Sequence, residues 1–329
     1  MGIPAIEARQ LRKVFTTSVR RPGIGGALRA LVAPERAETV AVEEVSFCVA
    51  QGELLALLGP NGAGKSTTIK MLAGVLVPSS GQARVAGHVP HLDRKANARR
   101  IGAVFGQRTQ LWWDLPAVES FTMLRDIFKI DEAAYRGRLK ELDALLDLSG
   151  FWQRRPRQMS LGHRVRADLA AALLHDPPII FLDEPTIGMD AVAKEQVRDF
   201  IRYQVEERSR TVILTTHDMA EVSRLAHRVL LINEGRVVYD GGLAELQKEY
   251  GSGWKVKVTF GSGAVPPGLP RPAESVGAAH VFAGVDPAAK RELLRSLLDR
   301  DDVTDLETHG DDLEDIMAAV YRGHAAVTE

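Results

Sequence analysis

One stretch, GPNGAGKS at residues 59–66, constrains the possible folds more than any other feature of the sequence. It matches the pattern G-x-x-x-x-G-K-[ST] at every position, and it lies between an apolar strand pattern and a helical pattern. Glycines allow successive backbone N–H groups to point inward around phosphate oxygens, and the N-terminus of the following helix favours negative charge. The segment therefore predicts a site for a nucleoside triphosphate.

The residue types in this loop predict individual roles. Lys65 can reach the β- and γ-phosphates, and the hydroxyl of Ser66 can coordinate Mg²⁺. A Gly-rich turn without a ligand is the alternative, and the strand–loop–helix context argues against it. The residues predicted to hold the nucleotide here are Gly59, Asn61, Gly62, Gly64, Lys65, Ser66 and Thr67.

Two acidic residues, Asp183 and Glu184, follow the apolar segment PIIFL. Ligands of open α/β sheets bind at the carboxyl ends of the strands, so Asp183 is predicted to hold Mg²⁺ directly or through water. Glu184 is placed to accept a proton from an attacking water, which is the role of a general base. An acid pair at a strand end can also be a solvated loop start, but the phosphate-binding loop (P-loop) GPNGAGKS upstream favours hydrolysis.

Two further polar residues follow apolar strand patterns, Gln107 after IGAVF and His217 after TVILTT. A histidine at a strand end is more commonly a hydrogen-bonded polar residue than a catalytic one. Here four strand ends are expected to converge on one phosphate. Gln107 and His217 are therefore predicted to belong to the same site.

Strand patterns alternate with helical patterns through most of the chain, as in PPIIFL, RTVILTT and HRVLLI. This alternation predicts an α/β core with a largely parallel sheet. A helical insertion is expected at about residues 108–158, and residues 16–39 form an insertion broken by Pro-Gly and Gly-Gly. The arginines of residues 16–39 fit either a solvated loop or a segment lying on an anionic membrane surface.

The pattern changes after about residue 250, where a Gly/Pro-rich loop lies among short strand and helix patterns. Residues 1–250 are accordingly predicted to form the nucleotide-binding domain. Residues 251–329 are predicted to form a small α+β accessory domain, for which a ferredoxin-like arrangement is one that fits.

Composition limits the environment and the partners. The formal net charge of -1 provides no electrostatic reason for a nucleic-acid partner. The single cysteine, Cys48, excludes an internal disulfide and is expected to be a buried thiol. No apolar run approaches the roughly 20 residues needed to cross a bilayer, and no secretory signal pattern begins the sequence. The chain is expected to be soluble and cytoplasmic, with any membrane role arising through a partner.

A helical pattern begins at Ser160 in the segment SLGHRVRADLAAALL. Taken alone, Ser160 would be an ordinary N-cap. Taken with the other motifs, however, the chain resembles the ATP-binding subunit of an ATP-binding cassette (ABC) transporter. The resemblance covers about residues 5–245 and rests, in the family's order, on the P-loop, the glutamine after a strand, the Ser-x-Gly helix start, FLDEP, GMD and the strand-end histidine.

This resemblance implies an α/β P-loop NTPase core of the ABC ATPase type, with an antiparallel β subdomain and a helical subdomain. It also implies hydrolysis of ATP with Mg²⁺. Ser160 and Gly162 would belong to the signature loop, which in the family binds the γ-phosphate of the ATP held by the other subunit. A helix N-terminus, with its unpaired N–H donors, suits that contact.

The remaining matched positions take their roles from the same resemblance. Gln107 would be the Q-loop glutamine, which senses Mg²⁺ and the γ-phosphate while facing the membrane subunit. Asp190 would be the D-loop aspartate at the dimer seam, and His217 the switch histidine contacting the γ-phosphate. Phe15 is the candidate for stacking on adenine.

The signature loop departs from the family's commonest form, Leu-Ser-Gly-Gly-Gln. Here the segment reads MSLGH, so Leu161 replaces the first glycine and His163 replaces the glutamine. Ser160 and Gly162 remain, so the loop is expected to work, with His163 as a source of pH dependence or altered nucleotide contact.

Three features bear on the subgroup: the segment FGQRTQLWWDLPAVES, the SLG of the signature loop and the short C-terminal appendage after VVYDGG. With these, the chain looks most like the ATPase of an ABC-2-type exporter of the drug-resistance or viologen-exporter-like groups. Such a chain would form a homodimer around two Mg·ATP and drive a separate membrane permease from the cytoplasmic face. The alternatives are a soluble ABC ATPase of translation or DNA repair, which usually carries two cassettes or long coiled coils, and a P-loop kinase. Trp112 and Trp113 either anchor the permease or belong to the core of the helical subdomain.

Overall fold

The computed structural model describes residues 3–18, 36–106, 108–251, 253–284 and 286–310, together with 313, 316–318, 320 and 321. The chain divides into two compact units, Met1–Gly241 and Gly242–Glu329. The division falls before the helix Leu243–Tyr250, whereas the sequence pattern places the boundary after it.

The first unit contains a nine-stranded sheet with the order β4-β1-β2-β9-β8-β3-β7-β6-β5. Strand β1 pairs antiparallel with β2 and β4, whereas β3, β5, β6, β7 and β8 are joined by parallel pairing. The strands are β1 (Ile6–Ser18), β2 (Arg36–Val49), β3 (Leu54–Leu58), β4 (Ser80–Val85), β5 (Ile101–Phe105), β6 (Ile179–Asp183), β7 (Thr211–Thr215), β8 (Arg228–Asn233) and β9 (Arg236–Gly242). The parallel part and the antiparallel part are the two β regions that the family resemblance implies.

The central strands are mostly apolar because both of their faces are covered. Every residue of β3, β6 and β7 is buried. The helices of this unit are α1 (Lys65–Leu72), α2 (Arg94–Ala98), α3 (Ala117–Phe128), α4 (Glu132–Leu146), α5 (Leu161–Leu173), α6 (Ala191–Glu206) and α7 (Met219–Leu225). Helices α3 and α4 lie within the segment predicted as the helical insertion.

Two expectations about the N-terminal part need revision. Strands β1 and β2 extend into the predicted insertion at 16–39, while residues 19–35 lie outside the described residues. Cys48 was expected to be buried, but it is exposed. The reason is the alternation of β2, in which Phe47 and Val49 face the core while Cys48 lies on the opposite face.

The second unit has its own core and its own sheet, with the order β11-β12-β10-β13. Its elements are α8 (Leu243–Tyr250), β10 (Trp254–Phe260), β11 (Glu274–Val276), β12 (Ala279–Gly284), α9 (Pro287–Leu298) and β13 (Val303–Gly310). The unit is α+β, as predicted. The order of its four strands and their antiparallel pairing are those of a ferredoxin-like sheet, but residues 261–273, between β10 and β11, form no helix, so the first helix of that arrangement is missing.

Among the described residues, no helix combines the length and the apolar composition that crossing a bilayer requires.

Candidate functional site

The pairing of the parallel strands brings the predicted site residues to one edge of the sheet. In register, Phe105 of β5 lies beside Asp183 of β6, and Asp183 lies beside Thr215 of β7. Thr215 is in turn the register partner of Leu57, near the end of β3. The segments that follow these strands therefore begin side by side.

The loop after β3 can be built only with glycine at two positions. Gly59 and Gly64 have φ angles of 154° and 105°. A Cβ atom at Gly59 would lie 2.2 Å from the carbonyl oxygen of Ile232, and one at Gly64 would lie 2.5 Å from that of Ala41. The backbone of this loop therefore packs directly on neighbouring backbone, which fixes its path into α1.

Helix α1 begins with unpaired donors. Its N-cap is Gly64, which has no side chain to accept a hydrogen bond. In the described part of the chain, no acceptor is bonded to the backbone N–H groups of Lys65, Ser66 or Thr67. Such a cluster of free N–H groups at a helix N-terminus is suited to an anion such as phosphate.

The ammonium of Lys65 lies inside this loop. Its Nζ donates to the carbonyl oxygens of Gly59 at 2.6 Å and Pro60 at 3.0 Å, and the residue is only 6% exposed. Burial lowers the pKa of Lys65 below its ordinary value, while the charges of Glu184 and Asp183 act in the opposite direction. The lysine is therefore a buried cation held close to two carboxylates.

Asp183 joins the loop after β3 to strand β7. Its Oδ1 accepts from the hydroxyl of Ser66 at 2.9 Å and from the hydroxyl of Thr215 at 2.6 Å. A hydroxyl and a carboxylate are the oxygen ligands that Mg²⁺ takes, usually together with phosphates and water. The donor set of Ser66 and Asp183 thus fits this ion. Thr215 was missed in the sequence analysis, although a hydroxyl at the end of the adjacent strand was the available signal.

Glu184 has a constrained backbone. Its N–H donates to both the carbonyl oxygen and the Oγ1 of Thr215, each at 3.0 Å, and its φ is 52°. A non-glycine residue in the left-handed region costs free energy and persists only where its surroundings impose it. The structure also places His217 beside Glu184, with 3.5 Å between its Nδ1 and Glu184 Oε2. A carboxylate that can take a proton therefore lies next to an imidazole.

The start of α5 has the predicted cap. The Oγ of Ser160 accepts from the backbone N–H of His163 at 3.2 Å. No acceptor among the described residues is bonded to the N–H groups of Leu161 or Gly162. Gly162 is buried, and a Cβ there would lie 3.1 Å from Cβ of Ala193. Two free donors beside a hydroxyl are the groups that this helix start can offer to an anion.

The two unusual residues of this loop have structural contacts. Leu161 packs against Gly188, since a Cβ at Gly188 would lie 3.1 Å from Leu161 Cδ2. The His163 ring stacks on Phe151 with 4.4 Å between the ring centroids. Burial, followed by the charges of Arg166 and Arg154, lowers the pKa of His163, which favours the neutral form of the ring.

The other predicted residues lie apart from these hydrogen bonds. Asp190 caps α6, with its Oδ1 accepting from the N–H of Ala193 at 2.9 Å. Phe15 lies on β1 and is 38% exposed, with Nζ of Lys13 at 5.2 Å from the ring centroid. Gln107 lies outside the described residues.

Comparison with known proteins places this site in a family. Residues 42–187 match the family model described as ABC transporter. The daunorubicin/doxorubicin resistance ATP-binding protein DrrA of Streptomyces peucetius is 39% identical over 214 residues, 65% of this chain and 64% of that protein. The Nod factor export ATP-binding protein I of Paraburkholderia xenovorans is 37% identical over 210 residues, 64% of this chain and 68% of that protein.

An import protein and a solved structure are also similar. The sulfate/thiosulfate import ATP-binding protein CysA of Xanthomonas campestris is 37% identical over 205 residues, 61% of this chain and 59% of that protein. A dimeric ATP-binding cassette in a post-hydrolysis state bound to ADP and Pi has a TM-score of 0.59 and 25% identity, covering 72% of this chain and 98% of that one. The loop after β3 and the helix start that follows it are suited to phosphate, and the oxygen ligands beside them are suited to Mg²⁺. Together with these comparisons, the site shows that the chain belongs to the ABC transporter family and is an ATPase that works with Mg²⁺.

Proposed function

We propose that the chain is the ATP-hydrolysing subunit of an ABC-2-type exporter, in which two copies close around two Mg·ATP at the cytoplasmic face of the membrane. A separate permease would carry the cargo. The observation that carries the shared site is the start of α5, where the Ser160 hydroxyl lies beside the unpaired N–H groups of Leu161 and Gly162. These donors would bind the γ-phosphate held by the partner copy.

In this proposal, the loop after β3 holds the triphosphate of its own copy. The N–H groups of Lys65, Ser66 and Thr67 bind phosphate oxygens, and Lys65 leaves its contacts with Gly59 and Pro60 to reach the β- and γ-phosphates. The path of the loop around the phosphates is set by Gly59, Asn61, Gly62 and Gly64. Ser66 and Asp183 would hold Mg²⁺, which neutralises the charge that develops on the phosphates.

Hydrolysis would proceed through Glu184. The water oxygen forms a bond to the γ-phosphorus as the bond from that phosphorus to the β,γ-bridging oxygen breaks, and the Glu184 carboxylate takes the proton of the water. His217, 3.5 Å from Glu184, is placed to orient this carboxylate and to contact the γ-phosphate. Gln107, which follows β5, would complete the magnesium side of the site.

Two further residues would act at the edges of the nucleotide. Phe15 is exposed on β1 and is available for stacking on adenine. Asp190 would lie at the dimer seam, at the position where its side chain caps α6.

The permease is proposed to approach near the segment after β5. Trp113 there is 48% exposed, with the guanidinium of Arg164 at 5.6 Å from the ring centroid. A large aromatic side chain left half in solvent is a typical interface anchor. Export is favoured by the relatives named for resistance and export, whereas the import relative makes uptake the competing direction.

Purification of Glu184→Gln from its host membranes in detergent with ATP tests the proposal. We expect polytopic membrane subunits of the ABC-2 type to accompany the chain. Importer-type permeases with a substrate-binding protein would contradict the export direction. Ribosomes or repair proteins in place of membrane proteins would favour a soluble ABC ATPase, and Trp113→Ala should reduce permease recovery without altering the ATPase rate of the isolated chain.

A further inference from the structure

Asp168 lies in the middle of α5, six residues after Gly162, and is only 5% exposed. Its Oδ1 accepts two hydrogen bonds, from the hydroxyl of Thr109 and from the backbone N–H of Gln110, each at 2.9 Å. The side chain of Gln110 also donates to the carbonyl oxygen of Asp168 at 2.8 Å. One residue of α5 therefore holds the segment after β5 by three hydrogen bonds.

This segment is also fixed to the sheet. The N–H of Arg108 donates to the carbonyl oxygen of Phe105, the last residue of β5, at 3.1 Å. Phe105 is the register partner of Asp183. A cavity of about 760 Å³ is lined by both Asp183 and Asp168, so the proposed magnesium ligand and this contact open onto one space. Residues 108–110 thus connect the magnesium side of the site to α5.

Stability alone does not explain an acidic residue here. Burial raises the pKa of Asp168 to about 6, against the hydrogen bonds from Gln110 and Thr109. Its neighbours on the helix, Ala167, Leu169 and Ala170, are buried and apolar. A buried carboxylate costs free energy that an apolar residue would not. This cost favours a positioning role for the Asp168 side chain.

The place of Asp168 along α5 indicates which part of the molecule it positions. An α-helix rises 1.5 Å per residue, so Asp168 and Gly162 are about 9 Å apart along one rigid element. The start of that element is the signature loop. We propose that Asp168 is a positioning residue that ties the segment after β5 to α5, so that the nucleotide site of one copy sets the placement of the signature loop serving the other.

This inference rests on the proposed function, because it takes α5 to act on the partner's nucleotide. It predicts a separation of binding from turnover. In Asp168→Ala, the loop after β3 still binds ATP, but the signature loop is no longer held. We therefore expect kcat to fall about tenfold, because the activation free energy rises by about the net contribution of one hydrogen bond. Asp168→Asn keeps an acceptor for both donors and should restore kcat to within about twofold.

The test measures kcat, together with the affinity and stoichiometry for a fluorescent ATP analogue, in the full chain. Thr109→Val, which removes one donor, should give an intermediate kcat. Leu142→Ala serves as a control for lost packing, because Leu142 is buried on α4 and makes none of these hydrogen bonds. Asp168→Ala with unchanged nucleotide affinity and lowered kcat, rescued by Asp168→Asn, supports the inference.

Three results would overturn it. These are an Asp168→Ala kcat within about twofold of the parent, an equal loss in Asp168→Asn, or the same loss in Leu142→Ala at a matched melting temperature. Failure of the proposed function is distinct, since it would appear as absent ATP-dependent dimerisation in the parent chain.

Discussion

A single hydroxyl, that of Thr215, contacts both acidic residues of the site. It donates to Asp183 Oδ1 and accepts from the N–H of Glu184. Thr215→Val removes both bonds while nearly preserving shape, so kcat should fall about tenfold and the free energy of unfolding by about 1–3 kcal/mol. Steady-state hydrolysis and urea unfolding measure the two effects.

Thr211→Val is the matched control for this change. Thr211 begins the same strand, is buried, and has equivalent hydroxyl bonds, accepting from Gly52 N–H at 3.0 Å and donating to the Ala50 carbonyl at 3.3 Å. It lies at the opposite end of β7 from the site, so it should lose stability but keep its kcat. Equal losses of kcat in the two variants would show that Thr215 has no special role.

Asp168 should impose a pH dependence on stability. Its pKa is raised to about 6 in the folded chain, so between about pH 4 and 6 the folded state retains a proton that the unfolded state releases. Stability is therefore lost as the pH rises through this window and stays lower above it. Asp168→Asn removes this pH dependence, because its side chain does not titrate. The free energy of unfolding of Asp168→Asn minus that of the parent chain should be about 1 kcal/mol larger at pH 7.5 than at pH 5.

Urea unfolding of both chains at the two pH values checks this prediction. An advantage of Asp168→Asn that is the same at pH 5 and pH 7.5, or larger at pH 5, would show that the carboxyl has an ordinary pKa in the folded chain.

Residue types predicted the loop residues and the acid pair because their chemistry depends on local sequence. The contacts of Thr215 and Asp168 could not be predicted in this way. Thr215 meets Asp183 only through the register of β6 and β7, and Asp168 meets Gln110 across residues distant in sequence. Such contacts depend on tertiary packing that no motif records.

At the scale of elements, the start of α5 combines a cap with an anion site. Ser160→Arg should cost the cap and fill the space in front of the Leu161 and Gly162 N–H groups. We expect hydrolysis to fall at least about a hundredfold, comparable to loss of an oxyanion donor, while affinity for a fluorescent ATP analogue stays unchanged. Loss of ATP hydrolysis with normal ATP binding is the result expected of a site that a second copy completes.

Asp131→Arg provides a control at the start of α4. Asp131 caps that helix through the N–H groups of Ala133 and Ala134, so its replacement also removes a cap and adds an arginine. Losing a cap typically costs about 1 kcal/mol, so both variants should be destabilised. If Asp131→Arg stopped hydrolysis equally, the effect of Ser160→Arg would be one of folding.

Helices and strands could be predicted where the apolar residues recur at a regular spacing. The exposure of a side chain could not be predicted where it depends on neighbouring elements. The helical patterns of α3 and α4 and the buried strands β6 and β7 lie where their apolar spacing placed them. Cys48 illustrates the limit, because an apolar strand pattern does not reveal which face a neighbouring strand or helix will cover.

At the scale of the whole molecule, the chain contains a nucleotide-binding unit and a separate α+β unit with its own core. The family assignment concerns the first of these, since the matched residues 42–187 lie within it. In the proposed function, two copies of this unit share each ATP. This sharing requires that ATP stabilises the dimer and that hydrolysis by Glu184 releases it.

Gel filtration of Glu184→Gln with light scattering, with and without Mg·ATP, measures whether ATP joins two copies of the chain. Replacing the carboxylate should abolish turnover while leaving binding intact, so we expect a monomer without nucleotide and a dimer holding two ATP with it. Dissociation in Ser160→Arg/Glu184→Gln would confirm that the signature loop closes the site. A Glu184→Gln chain that stays monomeric at saturating Mg·ATP and still hydrolyses ATP at the parent rate would show that two copies do not share ATP and that Glu184 is not the general base.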